Sequence, residues 1–600
     1  MSETTGPIVG IDLGTTNSVI AVVINGKPEV LCENGDAILP SVVGVDSQGK
    51  LITGTTARNQ QIAFPERTIV SVKRYMGTME KLPLGEQNYT PPEISAMILR
   101  RLRDRASRAL GTDVTRAVIT VPAFFDENQR QATREAGELA GFSVERIINE
   151  PTAATLVYHA GTHERRHIVV YDFGGGTFDV SVVRMEAGVV EVLSSKGDTR
   201  LGGDDLDMCL MKFVADHFYD LHDVDLRTNA SSRWRLIQAC ERAKCRLSDD
   251  QEVRIVEEFI AEKDGKPLNL ELSVSRDDYE KLIEPFVIRT ISCVDDALRD
   301  ARMKIDQIDD LVLVGGSTRT PLVQSRLRTE FAMEPSRAVD PDLAVALGAA
   351  MQAAMLDGQT VGPILVDVTG HTLGIEALVG FGLNGPELAF SPIIHRNSPL
   401  PAVHEQSYHK VSDQQDSAEI RVLQGESSDL DRNTEIGEFK VKLDSGGGER
   451  SRIVVRFDLT LDGILKVTAT QPATGKKETL SISNALSQFR AEDRADAKRR
   501  LQGMFDESSE LLGEDEHPSP EHWVIDPPSS LQAPLAMNAA TQRAIDLLQR
   551  AKKTVDEIEG EDSNEMDAVI LRLASAIEDN DESSIQKLSD ELDDILFYVQ

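Results

Sequence analysis

Residues 168–183 read IVVYDFGGGTFDVSVV. A β-branched apolar run ends near Asp172; three glycines and Thr177 follow; a second such run begins at Phe178 and carries Asp179. Apolar β-branched runs split by a glycine turn read as strand–turn–strand. The unit extends over 166–186, RHIVVYDFGGGTFDVSVVRME. The same grammar stands near the N-terminus. There, 10–23 read GIDLGTTNSVIAVV, with Asp12 at a strand end, then Gly14, Thr15 and Thr16, then a second strand. Two copies of one unit point to an internal duplication, two related lobes around a cleft.

Outward from these units, strands alternate with helices. TRAVITVPAFF (115–125) is a strand ending at Pro122, and ENQRQATREAGELAGF (127–142) is a helix stopped at Gly141. DDLVLVGGSTRTPLVQSRLRTEF (309–331) is strand, glycine turn, helix. This predicts an α/β domain with a mixed sheet over 6–361. At 362–367 Gly362 and Pro363 break the pattern, and Ile364, Leu365 and Val366 make an apolar linker ending in Asp367. An apolar spacer is unusual, since spacers are polar. From 368 to 484 the segments AEIRVLQG, RIVVRFDLTLDG, ILKVTATQ and ETLSISN are short and turn-bounded, which predicts an all-β sandwich. From 485 to 600 the pattern turns helical and acidic, with a Pro-rich acidic loop at 513–535. Residues 490–600 hold 11 Lys/Arg and 27 Asp/Glu, a balance of 11 − 27 = −16. Helical periodicity at 540–555 and 566–577 predicts a small α-helical bundle.

The whole chain has 600 residues and a net charge of −35. At about 150 residues per domain it has room for about four folding units. Its charge argues against nucleic-acid coats and anionic membrane surfaces as partners. An apolar share of 40% with 27% charged residues fits a soluble globular protein. The cysteines are Cys32, Cys209, Cys240, Cys245 and Cys293, an odd number without a CxxC, which fits neither a disulfide framework nor a zinc ribbon. A reducing, cytoplasmic location is expected. No basic-then-apolar leader and no run of about 18 apolar residues is present.

No GxxxxGK[ST] occurs, so a P-loop is excluded. The phosphate-binding candidates are the two turns, Gly14-Thr15-Thr16 and Gly174-Gly175-Gly176-Thr177. Glycines let backbone N–H groups approach phosphate oxygens, and threonine hydroxyls add donors. Either turn alone reads equally as a plain tight hairpin; two, each flanked by aspartate, do not. Asp12, Asp172 and Asp179 at strand ends suit a magnesium ion that keeps most of its waters. A third turn, Gly315-Gly316-Ser317, opens a helix and could hold phosphate or ribose.

The segments IDLGTTNS, VPAFFDENQRQATREAG, INEPTAA, YDFGGGTFDVS, LGGDDLD, LVGGSTRTP and DVTGHTLGIE resemble the seventy-kilodalton heat-shock chaperone family, in that family's order, from about residue 8 to about 485. The resemblance implies an actin-like ATPase domain, a β-sandwich that binds extended apolar peptides and a helical lid. The cofactors implied are ATP and Mg2+. Thr15, Thr16, Asn17 and the glycines at 14 and 174–176 would meet phosphates. Asp12 and Asp179 would hold magnesium through water. Lys73 would reach the γ-phosphate, Glu150 and Asp172 would position the attacking water, and Thr177 would sit beside them. Read without the resemblance, Lys73 is a solvated lysine and Glu150 a helix-start acid. Gly202, Gly203, Gly315, Gly316 and Ser317 would line the ribose and phosphate side. Glu241, Lys244 and Ser248 would hold adenosine, with Arg319 and Asp342 nearby. Where relatives often stack an arginine on adenine, this chain has Cys245, and losing that plane weakens nucleotide binding by about 1 kcal/mol.

The resemblance also makes Pro122 and Arg130 a relay from the ATPase site to the linker Ile364, Leu365, Val366 and Asp367. Pro363 stiffens that linker or removes one pairing N–H. Arg146, Asn149 and Thr152 match positions that meet J-domain co-chaperones. Ile375, Leu378, Tyr408, Ala418, Ile420 and Ile464 fall where relatives line the peptide pocket, Ala418 and Tyr408 making it wider and more polar. Plain core filling is the other reading, above all of Ile420 and Ile464. Between Met76 and Pro91 the chain is shorter than relatives, trimming an outer subdomain. The segment 378–400 is longer and Gly/Pro-rich, an expected enlarged rim loop. The implied partners are unfolded clients, a J-domain protein and a nucleotide-exchange factor, with no nucleic acid and no membrane. The competing readings are a sugar kinase on the same scaffold, against which no sugar-binding segment is evident, and a nucleotide-binding adaptor with little hydrolysis.

Overall fold

The computed structural model describes residues 6–158, 165–336, 340–382, 385–461, 463–481, 491–509 and 587–588. The helical segments read at 540–555 and 566–577 and the loop at 513–535 lie outside them. The chain divides into two units, Met1–Ile525 and Asp526–Gln600, and every strand and helix named below belongs to the first. Among the described residues no helix is long and apolar enough to cross a membrane.

The N-terminal unit folds as the antiparallel hairpin Ile8–Leu13 and Asn17–Ile24. Lys27–Val30 pairs antiparallel on one side, and Arg116–Val121 pairs parallel on the other. The unit at 166–186 folds the same way. Arg166–Phe173 and Phe178–Glu186 are antiparallel, flanked by antiparallel Val189–Asp198 and parallel Asp310–Val314. Each sheet thus has the order parallel strand, hairpin, third strand, and the duplication is present as topology. Ile168 through Phe173 are all buried, which explains why that strand reads as a continuous apolar run rather than an alternating one.

Helix Glu127–Leu139 starts where its sequence places a capping box: Asp126 accepts from Gln129 N at 2.9 Å. It stops ahead of Gly141, whose φ is +92°. Helix Ala344–Leu356 is apolar all round because it lies between strand Ile8–Leu13 and helix Glu150–Tyr158. Along this seam backbone meets backbone. A Cβ at Gly10 would overlap Ala350, and one at Gly348 would overlap the Ala153 carbonyl.

After Pro363, residues Ile364–Val366 join the second sheet as a fifth strand, parallel to Val189–Glu191. The pairing begins at Ile364, whose N–H donates to Gly188 O at 2.8 Å. The N–H that proline lacks therefore falls one residue ahead of the pairing. Two four-stranded antiparallel sheets follow. One orders Gly385–Ile394, Leu373–Gly382, Ser417–Gln424 and Thr434–Lys442; the other orders Ala402–His409, Arg452–Leu459, Leu465–Gln471 and Lys476–Ser481. Their inner faces share one core containing Leu373, Val422, Val455, Phe457 and Val467. The expected rim loop at 378–400 is strand over Leu373–Gly382 and Gly385–Ile394. Leu373–Gly382 and Gly385–Ile394 pair through it, absorbing Gly374 and Gly380 at register shifts. Glycine in a strand marks a bulge as readily as a loop, and that is the physical reason for the misreading. Residues 76–91 hold a small hairpin, Leu82–Leu84 and Gln87–Tyr89.

Helix Ala491–Ser509 lies on helix Pro91–Leu110. Ala497, Leu501 and Phe505, four residues apart, enter the core of the first sheet. Arg500 pairs with Glu93 and stands 5.2 Å over the Tyr89 ring; Arg100 stands 5.2 Å over Phe505.

Candidate functional site

The two hairpin turns meet face to face. A Cβ at Gly175 would overlap Thr16 Oγ1, so only glycine lets the second turn reach the first. The third turn joins them: Ser317 Oγ donates to Gly174 O at 2.9 Å and Gly203 N donates to the same carbonyl at 3.0 Å. Gly14, Thr15, Thr16, Gly174, Gly175, Gly176, Thr177, Gly202, Gly203, Gly315, Gly316 and Ser317 therefore come together, although they lie up to about three hundred residues apart in sequence. Asn17, the first residue of its strand, is exposed.

Beneath the turns lies an excess of acid. Lys73, only 4% exposed, pairs with Glu150 at the start of helix Glu150–Tyr158. Asp172 and Asp179 are also buried, and Asp12 is half-buried. Burial and the Glu150 charge push Asp12 up to about 7 and Asp179 up to about 8. Asp172 stands well above the usual carboxylate range, from burial first and then from Glu150, Asp179 and Asp12. One ammonium cannot compensate four carboxylates, and the site is short of positive charge. Asp179 is oriented by Phe124 N, which donates to its Oδ1 at 2.9 Å; Thr120 Oγ1 donates to Asp12 Oδ1 at 3.4 Å.

The remaining candidates form ion pairs around this centre. Lys244 Nζ bonds Asp207 at 2.7 Å, Glu241 bonds Arg58 at 2.7 Å and Arg319 bonds Asp342 at 2.7 Å. Ser248 caps helix Ala230–Leu247, and Cys245 on that helix is exposed.

Toward the linker, Pro122 follows strand Arg116–Val121 and its carbonyl accepts from Phe125 N. Arg130 Nη2 donates to Asn149 Oδ1 at 2.6 Å, and Asn149 Nδ2 donates to Asp367 Oδ2 at 2.9 Å. Leu365 is buried, whereas Ile364 is 68% exposed. Arg146, Asn149 and Thr152, which match positions that meet J-domain co-chaperones, are all buried, Thr152 at 0% exposure. Asn149 lies under Asp367 of the linker, and a polar pattern there does not mean an open surface. Of the peptide-pocket candidates, Ile375 and Ile420 are buried in the shared core, with Tyr408 and Ala418 packed against it. Tyr408 Oη and Ser391 Oγ are 2.9 Å apart. Leu378 and Ile464 are half-buried and stand outside that cluster.

Four features went unread in the sequence: Phe124, Arg58, Arg74 and the pair Asp204–Asp205. Phe124 touches both regions, donating to Asp179 and meeting His371 Nε2 at 3.1 Å through its carbonyl. The acidic pair stands in LGGDDLD, directly after Gly202 and Gly203.

Against known proteins, a family model described as Hsp70 protein matches residues 8–84 and 78–598.

Proposed function

The chain belongs to the Hsp70 family, whose members are ATPases and ATP-dependent chaperones, and from that premise we propose that it hydrolyses ATP in the cleft and binds extended apolar segments of unfolded proteins. The observation that carries the reading is the crowd of Asp12, Asp172, Asp179 and Glu150 around one buried lysine, at the junction of glycine turns from both lobes. A charge-deficient pocket of this kind fits a nucleotide that arrives with Mg2+. Asp12 and Asp179 would hold the ion through its waters, and it would neutralise phosphate charge there.

The chain's own groups account for the rest. Backbone N–H groups of 174–176 and the hydroxyls of Thr15 and Thr16 donate to phosphates, with Gly14 and Asn17 shaping that turn. Lys73 neutralises charge on the γ-phosphoryl group, beside Thr177. Glu150 and Asp172 orient a water for in-line attack. Its oxygen bonds to the γ-phosphorus, the bond to the bridging oxygen breaks, and ADP leaves with phosphate. Asp172, buried beside Glu150 at the end of strand Arg166–Phe173, would accept the proton which that water gives up. Gly202, Gly203, Gly315, Gly316 and Ser317 face the ribose side. Glu241, Lys244, Ser248, Arg319 and Asp342 frame the base.

Residues 6–361 form the ATPase domain in this reading, 362–367 its linker, and 368–484 a peptide-binding sandwich built from the two facing sheets. A client strand would gain main-chain hydrogen bonds and bury alternate side chains near Ile375, Leu378, Tyr408, Ala418, Ile420 and Ile464. A J-domain protein and an exchange factor would act on the cycle.

Single-turnover ATP hydrolysis, with and without an apolar heptapeptide, tests this in wild type and Lys73→Ala. Peptide-stimulated turnover lost in the variant is the expected result. Nucleotide binding without hydrolysis, even with a J-domain protein added, would replace the reading with that of an adaptor.

A further inference from the structure

Four side chains bridge the lobes beside the glycine turns, and none of them has a part in the proposed hydrolysis. Ser71 and Arg74 belong to the first lobe, flanking Lys73 at the short helical turn Val72–Tyr75. Asp204 and Asp205 open helix Gly203–His222 of the second. Ser71 Oγ donates to Asp204 Oδ2 at 2.7 Å. Arg74 Nη1 donates to Asp205 Oδ1 at 3.3 Å, while Nη2 pairs with Asp205 Oδ2 and donates to Gly176 O at 3.2 Å. Asp205 Oδ2 also accepts from Gly202 N at 2.8 Å. The Arg74 Nε makes no hydrogen bond and lies 3.8 Å from Asp204 Oδ2.

Two details tie this bridge to the chemistry. Ser71 has φ +53°, a left-handed conformation uncommon for a non-glycine residue. Its side-chain hydrogen-bond partner, Asp204, belongs to the other lobe. Lys73 stands between the two anchored residues, and Asp205 and Arg74 also grip Gly202 and Gly176 in the phosphate-facing turns. If the lobes part, both anchors leave together and the turn carrying Lys73 is freed.

We propose that Ser71, Arg74, Asp204 and Asp205 form a cross-lobe clasp that makes closure of the cleft and placement of Lys73 a single event, with Arg74 and Asp205 as positioning residues. The consequence for catalysis rests on the ATPase reading; the clasp itself does not. Bidentate arginine–carboxylate pairing adds orientation to attraction, which a positioning role requires.

The test uses the full chain with Arg74→Ala, Asp205→Asn and the double variant. In the nucleotide-free protein, amide exchange at 71–75 and 202–205, on opposite lobes, is expected to rise together in Arg74→Ala. Release of a fluorescent ADP is expected to quicken about tenfold in each single variant and no further in the double, because one interaction is lost in all three. Arg74→Lys, which keeps the charge and loses the fork, is expected to fall between. Thermal midpoints should stay near wild type. Exchange rising in the first lobe alone, or single effects that add in the double variant, would overturn the clasp. If wild type hydrolyses no ATP, the ATPase reading fails while the exchange result still decides the clasp.

Discussion

The ATPase-like region of this chain is gripped at two places, and the balance of apolar and polar contact differs between them. Helix Ala491–Ser509 holds the first lobe with apolar surface: Leu501 and Phe505 are buried in that lobe's own core. The linker and the sheets after it hold through polar contacts: Asp367 to Asn149, His371 to Phe124, Gln424 to Glu127 N at 3.2 Å, and Arg396 to Asp300 at 2.8 Å. Apolar burial is strong and indifferent to geometry. Hydrogen bonds are weaker in net terms but costly to leave half-made. The first grip should therefore lose most from a truncated ring, and the second from a single polar atom left unpaired.

The largest expected effect breaks the apolar grip. Phe505→Ala should cost that contact about 3 kcal/mol, seen as faster amide exchange along helix Pro91–Leu110. Exchange unchanged from wild type would mean that the helix does not hold there. Next is Asp367→Ala, which leaves Asn149 Nδ2 without its buried acceptor, at about 2 kcal/mol. The expected readout is loss of peptide stimulation of hydrolysis with basal hydrolysis kept.

A subtler distinction is pH. Burial raises Glu127 to about 7, opposed by Arg130 and aided by Asp126; its carboxylate lies beside Gly463. The docked form thus binds the proton better. Glu127 contributes docking stability that is complete below the ordinary carboxyl range and lost as pH rises through about 7. Burial lowers His371, against the pull of the Phe124 carbonyl, Asp126 and Glu426 and alongside the Arg130 charge, so its contribution has the opposite sign, lost as pH falls below its ordinary 6.5. Glu127→Gln should remove one part of the decline: Asp126 and Asp367, also raised by burial, keep the sign of Glu127, and His371 keeps the opposite one, so linker protection from proteolysis should fall less steeply toward neutrality than in wild type. A variant whose protection falls as steeply as wild type between pH 5 and 7.5 would remove Glu127 from the account. The smallest effect belongs to Arg396→Ala. Asp300 keeps Lys196 at 3.5 Å, so the loss should stay below about 1 kcal/mol and within a few-fold in peptide stimulation.

Local signals were the legible ones. The glycine turns, the helix stopped ahead of Gly141 and the strand runs each depend on neighbours a few residues away, and each stands where the sequence placed it. The clasp could not be read, because Arg74 and Asp205 are 131 positions apart and nothing local marks either. Leu378–Leu400 misled for a different reason: glycine and proline mark bulged edge strands as well as loops. Ile375 and Ile420 show the limit for apolar residues. Periodicity says that a side chain points inward, and a pocket wall and a core filling both do.

The seam between strand Ile8–Leu13, helix Ala344–Leu356 and helix Glu150–Tyr158 has one more implication. At Gly10 and Gly348 the elements touch without any side chain between them. Such a joint works as a bearing does, by bare surfaces at fixed clearance, and a single methyl group would act as a wedge. Sequence drift should accordingly be tolerated less at these two positions than at many residues facing the cleft, though neither touches any group proposed to meet nucleotide.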